Sequence, residues 1–198
     1  MTRIVIILPA AGASRRMRGR DKLLEPVAGA PLLRVMALRA LEVSTQVIVT
    51  LPRDRPDRAA ALDDLQVKRI EVADADTGMS ASLRAASRHI PDDASGVLVL
   101  PADMPDISRD DLARVVQAFE DQVATSIVQA TSADGTPGHP VLFPADLARG
   151  FGDLSGDEGA RSIVKANADR RVYVALPDNH AITDLDTPEA WAKWRAAK

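Results

Sequence analysis

Short apolar runs recur along the chain, and segments with helical periodicity separate them. The clearest runs cover residues 4–8, 46–51, 96–100 and 172–176. Continuous apolar runs of this length are typical of strands that are buried on both faces of a parallel sheet. Helices must cover both faces of such a sheet, so the alternation predicts an α/β fold, a doubly wound three-layer sandwich with a mostly parallel sheet. Ligands bind such sheets beyond the carboxyl ends of the strands.

Residue types at helix starts indicate where the helices begin. Ser80 is a candidate N-cap, Ser108 and Asp111 are close to a capping box, and Thr187 before Pro188 predicts the start of the last helix. The predicted helices cover residues 31–43, 55–65, 80–88, 108–121 and 158–167 and the end of the chain from Thr187; further strands cover residues 67–73, 125–131 and 138–143, and a long loop covers residues 9–30.

Composition restricts the possible functions. The 198 residues are expected to form one domain, residues 1–198. Lys and Arg number 25 against 28 Asp and Glu, a net charge of −3, and aromatic residues make up 3%, so a nucleic-acid binder is disfavoured. The absence of Cys excludes disulfides and thiolate metal sites and fits a reducing cytoplasm. No apolar span of about 20 residues occurs, which argues against a membrane protein or a classically secreted one.

Small side chains and then basic ones follow the first predicted strand. The small residues are Ala10, Ala11, Gly12, Ala13 and Ser14, and the basic residues are Arg15, Arg16, Arg18, Arg20 and Lys22. Small side chains let backbone N–H groups approach phosphate oxygens, which Arg and Lys also bind. A polyphosphate cradle and a surface turn with solvated charges are both open on these grounds. The segment lacks the Gly-Lys-Ser/Thr ending of a P-loop and the G-x-G-x-x-G of dinucleotide sites.

The pattern Ala10-Ala11-Gly12-x-Ser14-x-Arg16-Met17, followed by Lys22-Leu23-Leu24, resembles the signature of the MobA-like nucleotidyltransferases. The resemblance extends along the whole chain. It implies the Rossmann-like fold of the nucleotide-diphospho-sugar transferases and a catalytic role for Arg16 and Lys22, which would hold a nucleoside triphosphate together with the backbone of residues 10–14.

Acidic residues lie where a metal bound to that nucleotide would be expected. Asp103 follows the predicted strand of residues 96–100, and Asp184 and Asp186 project to one side of an extended segment. Asp oxygens suit Mg²⁺, and like charges on one side repel unless a cation joins them. A turn role for Asp103 and a place before the last helix for Asp186 are the plain alternatives. The resemblance implies that Asp103 is catalytic and binds Mg²⁺ with Asp184 or Asp186.

Three further segments resemble pieces of the same family. The first, near the nucleotide in that family, contains Gly78, Met79, Ser80 and Ser82, which could equally be an ordinary capped helix start. The second, beside the acceptor substrate, contains Gly138, His139 and Pro140. The third contains Asp157 and Arg161, for which the resemblance implies acceptor binding. Arg161 could hold the phosphate or the pterin of the acceptor, or could equally be a first-turn helix residue facing water.

The resemblance implies Mg²⁺-dependent transfer of CMP from CTP to the phosphate of a molybdopterin-type cofactor, with a molybdoenzyme or its maturation factor as a possible partner. Ala10-Ala11-Gly12 and Lys22-Leu23-Leu24 resemble the cytidylyl branch, which contains the molybdopterin cytidylyltransferases, more than the guanylyl branch. Pro9, Arg18 and Ala102 depart from the family pattern. Two alternatives stay open: transfer to a sugar phosphate, polyol phosphate or other phosphorylated metabolite, and a maturation protein that binds nucleotide or cofactor without turnover.

Overall fold

A seven-stranded sheet forms the centre of the protein, in a computed structural model that describes residues 2–75, 78–156 and 159–198. The order of its strands is β5-β4-β1-β6-β8-β7-β9. The strands are β1 Ile4–Pro9, β4 Gln46–Pro52, β5 Lys68–Val72, β6 Gly96–Val99, β7 Ile127–Thr131, β8 Pro137–Pro144 and β9 Arg171–Ala175, and a separate small hairpin is formed by β2 Pro26–Val27 and β3 Ala30–Pro31.

Most neighbouring strands of the sheet are parallel, as predicted. β4, β5 and β6 join β1 through parallel pairs, and β9 is parallel to β7. β8 is the exception, since it lies between β6 and β7 and is antiparallel to both. The carboxyl ends of β1, β4 and β6 therefore meet at one edge of the sheet, where the amino end of β8 also lies.

Helices cover both faces of this sheet, which confirms the doubly wound architecture. In β1, Ile4, Ile6 and Leu8 pack on one side, whereas Val5 and Ile7 pack on the other. Both sets are apolar because strand side chains alternate and each face is covered. The helices are α1 Leu32–Leu41, α2 Pro56–Ala60, α3 Met79–Ser87, α4 Arg109–Asp121, α5 Ala145–Ala148, α6 Arg161–Ala166 and α7 Pro188–Ala196. The first face carries α1, α4 and α7, and the second carries α3 and α6.

Two of the three predicted helix caps are confirmed. Ser108 and Asp111 form a reciprocal capping box on α4, and the Thr187 hydroxyl accepts a hydrogen bond from the Ala190 N–H at the start of α7. The third prediction is wrong: Gly78 is the N-cap of α3, and Ser80 lies inside the helix. Gly78 has φ 94°, a conformation that glycine adopts without strain.

Other boundaries differ from the predicted ones. α2 ends at Ala60, well before residue 65, and the predicted loop of residues 9–30 contains the hairpin of β2 and β3. Within the described ranges, no helix is long and apolar enough to cross a membrane.

Candidate functional site

The segment after β1, residues 10–25, is called the first loop below. Gly12, Ala13 and Ser14 line a cavity of about 290 Å³, the loop cavity, together with Arg16 and Lys22. Arg15, Ala75, Gly78 and Asp186 complete its lining. Two predicted residues lie elsewhere: Ala10 lines an adjoining cavity of about 180 Å³, the small cavity, and Ala11 is buried against Val72 and Ala81. The geometry thus presents the backbone of residues 12–14 and three basic side chains to one cavity.

Met17 fixes the shape of the first loop because its side chain is completely buried in the core. A single 3₁₀ turn, Arg15–Met17, carries it there, and Ser14 and Arg18 on either side adopt left-handed backbone conformations. The Ser14 hydroxyl points away from solvent: it donates to Asp21 at 3.3 Å and accepts from Arg58 at 3.0 Å. Arg15 and Arg16, by contrast, stay exposed beside the loop cavity.

Arg58 and Arg55 hold the first loop in place through hydrogen bonds to its backbone carbonyls. The sequence analysis did not identify either residue. The fully buried Arg58 donates to the Ala10 carbonyl and to both carboxylate oxygens of Asp21. Arg55 donates to the Ala13 carbonyl at 2.7 Å. Burial raises the pKa of Asp21, but the hydrogen bond and charge of Arg58, the Leu23 N–H and the charge of Arg55 outweigh it and hold that pKa below its ordinary value. The one signal in the sequence was an acid, Asp21, inside a run of basic residues.

Lys22 lies between two of the predicted metal ligands. Its ammonium donates to Asp103 and, at 2.6 Å, to Asp186, while Arg16 donates to the other oxygen of Asp186. Burial lowers the pKa of Lys22, but the two carboxylates raise it by more, so the side chain stays charged. Arg16, Lys22, Asp103 and Asp186 come from three distant parts of the chain and meet at the carboxyl edge of the sheet.

Asp184 adds a third carboxylate to this cluster. Its pKa is raised first by burial, then by a hydrogen bond with Asp186 and by the negative charges of Asp186 and Asp103. A hydrogen bond from the Leu185 N–H to the Asp103 carbonyl, 3.1 Å long, ties the two acidic segments together. Within the described residues, no group of three or more His, Cys, Asp and Glu side chains meets the geometry of a formed metal site. The arrangement is a set of hard oxygen donors with a lysine in their midst.

Some residues at the start of α3 line the two cavities and others do not. Gly78 lines both the loop cavity and the small cavity, and Met79 and Ser82 line the small cavity. Ser80 is turned away from both, since its buried hydroxyl donates to the Ser155 carbonyl at 3.2 Å. Of the four residues predicted here, three face enclosed space and Ser80 has a structural hydrogen bond.

A larger cavity of about 650 Å³, called the sheet cavity, lies over β8 on the side of α3 and α6. Its lining includes Gly138, His139 and Arg161, three of the residues predicted to bind the acceptor. Pro140 is buried next to it, after a cis peptide bond, and is not part of the lining. Asp157 lies outside the described residues. Met79 lines both the sheet cavity and the small cavity, so the two spaces adjoin.

His139 links the sheet cavity to the acidic cluster. Burial lowers its pKa below the ordinary value, and the charge of Arg161 lowers it further, against an opposing effect of Asp103. The imidazole is therefore neutral near pH 7. Gly138 has a packing role, because a Cβ there would lie 1.9 Å from the Ala181 carbonyl oxygen. That close approach lets the His139 N–H donate to the same carbonyl at 2.8 Å.

Comparisons with known proteins agree with this geometry. The sequence model of the MobA-like NTP transferase domain matches residues 5–172. A probable molybdenum cofactor guanylyltransferase of Haloferax mediterranei is 35% identical over 100 residues, which are 50% of this chain and 47% of that protein. The purine catabolism protein PucB of Bacillus subtilis is 26% identical over 205 residues, covering 98% of this chain and 97% of PucB.

Among solved structures, the protein Rv0371c of Mycobacterium tuberculosis H37Rv superposes with a TM-score of 0.84 at 26% identity, covering 98% of this chain and 97% of that one. A second structure of Rv0371c is a complex with manganese; it superposes with a TM-score of 0.82 at 24% identity and covers both chains fully. These two superpositions confirm the α/β fold over the length of the chain.

Proposed function

The chain belongs to the MobA-like NTP transferase family, and we propose that it transfers CMP from CTP to the phosphate of a molybdopterin-type cofactor with release of pyrophosphate. One observation carries this proposal. Arg16 and Lys22 meet Asp103 and Asp186 at the wall of a cavity whose other wall is the small-residue backbone of the first loop. Cations, carboxylates and accessible N–H groups at one point are what a metal-bound triphosphate requires.

The first loop would hold the triphosphate. Gly12 has open space where a side chain would be, so a phosphate can reach the backbone there. Arg16 can donate to two phosphate oxygens, and Lys22 supplies a point charge. Both cations already hold Asp186, and a bound triphosphate would offer them additional oxygens.

The residues present fit a divalent metal ion. Asp103, Asp184 and Asp186 are oxygen donors of the kind that Mg²⁺ prefers. The pKa of Asp184 is raised by burial and, to a smaller extent, by the neighbouring carboxylates, whose charge a cation would neutralise. Asp103, with Asp184 or Asp186, would hold Mg²⁺. Bound there, the ion would neutralise charge on the phosphates during transfer.

The acceptor phosphate would enter from the sheet cavity and attack the α-phosphorus, with pyrophosphate leaving on the far side. A phosphate monoester is already anionic at neutral pH, so no general base is needed. The lowered pKa makes His139 a weak base, so its role would be to position the acceptor rather than to take a proton. Alignment and charge neutralisation by Arg16 and Lys22 would supply the catalysis.

The choice of CTP is supported by the sequence of the first loop, Ala10-Ala11-Gly12 and Lys22-Leu23-Leu24. The Haloferax relative is described as a guanylyltransferase, so the first comparison is between CTP and GTP. The absence of Cys supports a reducing, cytoplasmic setting.

The test is incubation of the purified protein with CTP, GTP, ATP or UTP, with Mg²⁺ and purified molybdopterin cofactor, scored for pyrophosphate release. We expect release with CTP and none when Mg²⁺ is chelated. Release with GTP alone would overturn the nucleotide assignment. Turnover with a sugar or polyol phosphate in place of the cofactor would overturn the acceptor assignment, and tight CTP binding without turnover would favour the maturation protein.

A further inference from the structure

Three basic side chains line the sheet cavity without an acidic partner among the described residues. Arg161, Lys165 and Arg171 contribute to this lining, and none of the described residues that line it is acidic. Elsewhere on the surface, basic residues are commonly paired: Arg170, directly before Arg171, donates to Asp146 at 2.8 Å. The chain has three more acidic than basic residues, 28 against 25, so a group of unpaired cations at one cavity is not a consequence of overall charge.

Arg161 and Lys165 line the cavity from the same face of α6. They lie four residues apart on α6, a spacing that places both side chains on the same side of a helix. Arg161 is the cation whose charge reaches His139, so it belongs to the end of the cavity near the acidic cluster. Lys165 follows one helical turn later, about 6 Å along the helix axis.

Arg171 lies at a different position along the sheet from His139. It pairs with Ile127, and the next residue, Val128, pairs with Leu142. Arg171 is therefore level with Phe143, four residues along β8 from His139, which corresponds to roughly 13 Å. Its guanidinium lies 4.8 Å from the centre of the Tyr173 ring, a cation–π contact that restricts its position.

The side chains between these cations are mostly apolar. Leu83, Val99, Val141 and Phe143 line the sheet cavity, and the polar Gln129, which pairs with Val141, lies among them. We infer that the acceptor is a two-ended anion: besides the phosphate that attacks near His139 and Arg161, it carries a second anionic group, held by Lys165 and Arg171 beyond an apolar body. Lys165 and Arg171 are then specificity-determining residues. The inference rests on the proposed function in assigning this cavity to the acceptor.

Two alkyl phosphates test this directly by calorimetric binding. One is octyl phosphate, with a single anionic end, and the other is 1,8-octanediol bisphosphate, with an anion at each end of the same apolar chain. Inorganic triphosphate and Mg²⁺ are present throughout at saturating concentration, to fill the first loop. We expect the bisphosphate to bind about tenfold more tightly than octyl phosphate, since the second anion gains charge-assisted hydrogen bonds.

The double variant Lys165→Met/Arg171→Met should bind both probes alike, and Lys193→Met, an exposed cation on α7, should keep the tenfold preference. Equal binding in the parent protein, or an unchanged preference in the double variant, would overturn the inference. Because Lys165 is exposed and Arg171 half-buried, both variants should keep the thermal midpoint of the parent. Binding is scored without turnover, so a preference without pyrophosphate release would contradict only the proposed function.

Discussion

Arg58 and Asp21 form a buried, two-pronged ion pair beneath the first loop. The Arg58 Nε and Nη2 atoms donate to the two carboxylate oxygens of Asp21 at 2.7 and 2.8 Å, and the Arg58 side chain has no exposed surface. The same guanidinium also reaches Ala10 and Ser14, at the two ends of the small-residue segment. The shape of the first loop therefore depends on a residue of α2, more than 35 positions away.

Arg58→Met should destabilise the protein by about 3 kcal/mol, because the largely buried Asp21 carboxylate loses its two shorter ion-pair contacts and keeps the 3.3 Å contact to Arg55. Adding Asp21→Asn should restore part of that loss, since the poorly compensated charge is then removed. Urea unfolding of the two single variants and the double variant measures the coupling. If the losses of unfolding free energy in the two single variants simply add up to the loss in the double variant, the two side chains do not stabilise the protein through their interaction.

Asp103→Asn should lower kcat for pyrophosphate release by about 100-fold or more, since the variant loses one charge of the acidic cluster while keeping its shape. Asp110→Asn is the matched control, because Asp110 is exposed and pairs only with the neighbouring Arg109 at 2.9 Å. Retention of full Mg²⁺-dependent activity by Asp103→Asn would contradict the metal assignment.

Arg16→Gln should raise the KM for the nucleoside triphosphate about tenfold, through the loss of a charge-assisted contact to phosphate. Arg18 provides the comparison on the same loop, since it pairs with Glu189 at 2.7 Å on the surface and does not line the loop cavity. Arg18→Gln should change the KM less than about twofold. Equal effects of the two substitutions would mean that the loop acts only through its overall charge.

Two glycines should respond in opposite ways to alanine. Gly138→Ala should cost about 1–3 kcal/mol of stability, because the new Cβ would meet the Ala181 carbonyl oxygen and the Ile182 side chain. Gly12→Ala meets nothing within 4 Å and should leave stability unchanged or raise it slightly.

Gly12→Ala should impair binding of the nucleotide although it leaves the protein stable. It should raise the KM for the triphosphate, since the new methyl group projects from the lining of the loop cavity. A parent-like KM in that variant would mean that the phosphates do not contact the backbone at Gly12. Thermal unfolding measures the stability of each variant, and steady-state kinetics on the same preparations measures its KM for the triphosphate.

Stability should fall on mild acidification, in part because of His139. Its pKa is lowered in the folded protein by burial, whereas the unfolded chain takes up the proton near pH 6.5. The unfolded state therefore binds more protons below about pH 6.5, and the free energy of unfolding decreases there by up to about 1.4 kcal/mol per pH unit. In His139→Gln, urea unfolding at pH 7.5 and 5.5 should show a smaller difference, and an unchanged difference would exclude His139 as its source.

Several elements were predictable because their determinants are local. The apolar run of β1 and the capping residues Ser108 and Thr187 act within a few positions, so a sequence pattern is sufficient to find them. Ser80 shows the limit. Gly78 supplied the cap instead, and the buried Ser80 hydroxyl found its partner 75 residues away at Ser155.

The sequence by itself determined the alternation of buried strands and helices, and with them the edge of the sheet at which Asp103 and the first loop lie. Only the tertiary structure decided which charges meet: Lys22 with Asp103 and Asp186, and Arg58 with Asp21. It also brought together the cations of the sheet cavity, which have no acidic partner among the described residues. The physical reason is the sequence separation over which each feature is determined. Backbone periodicity is set by neighbours along the chain, whereas the partner of a charged side chain is set by packing between segments that are distant in sequence.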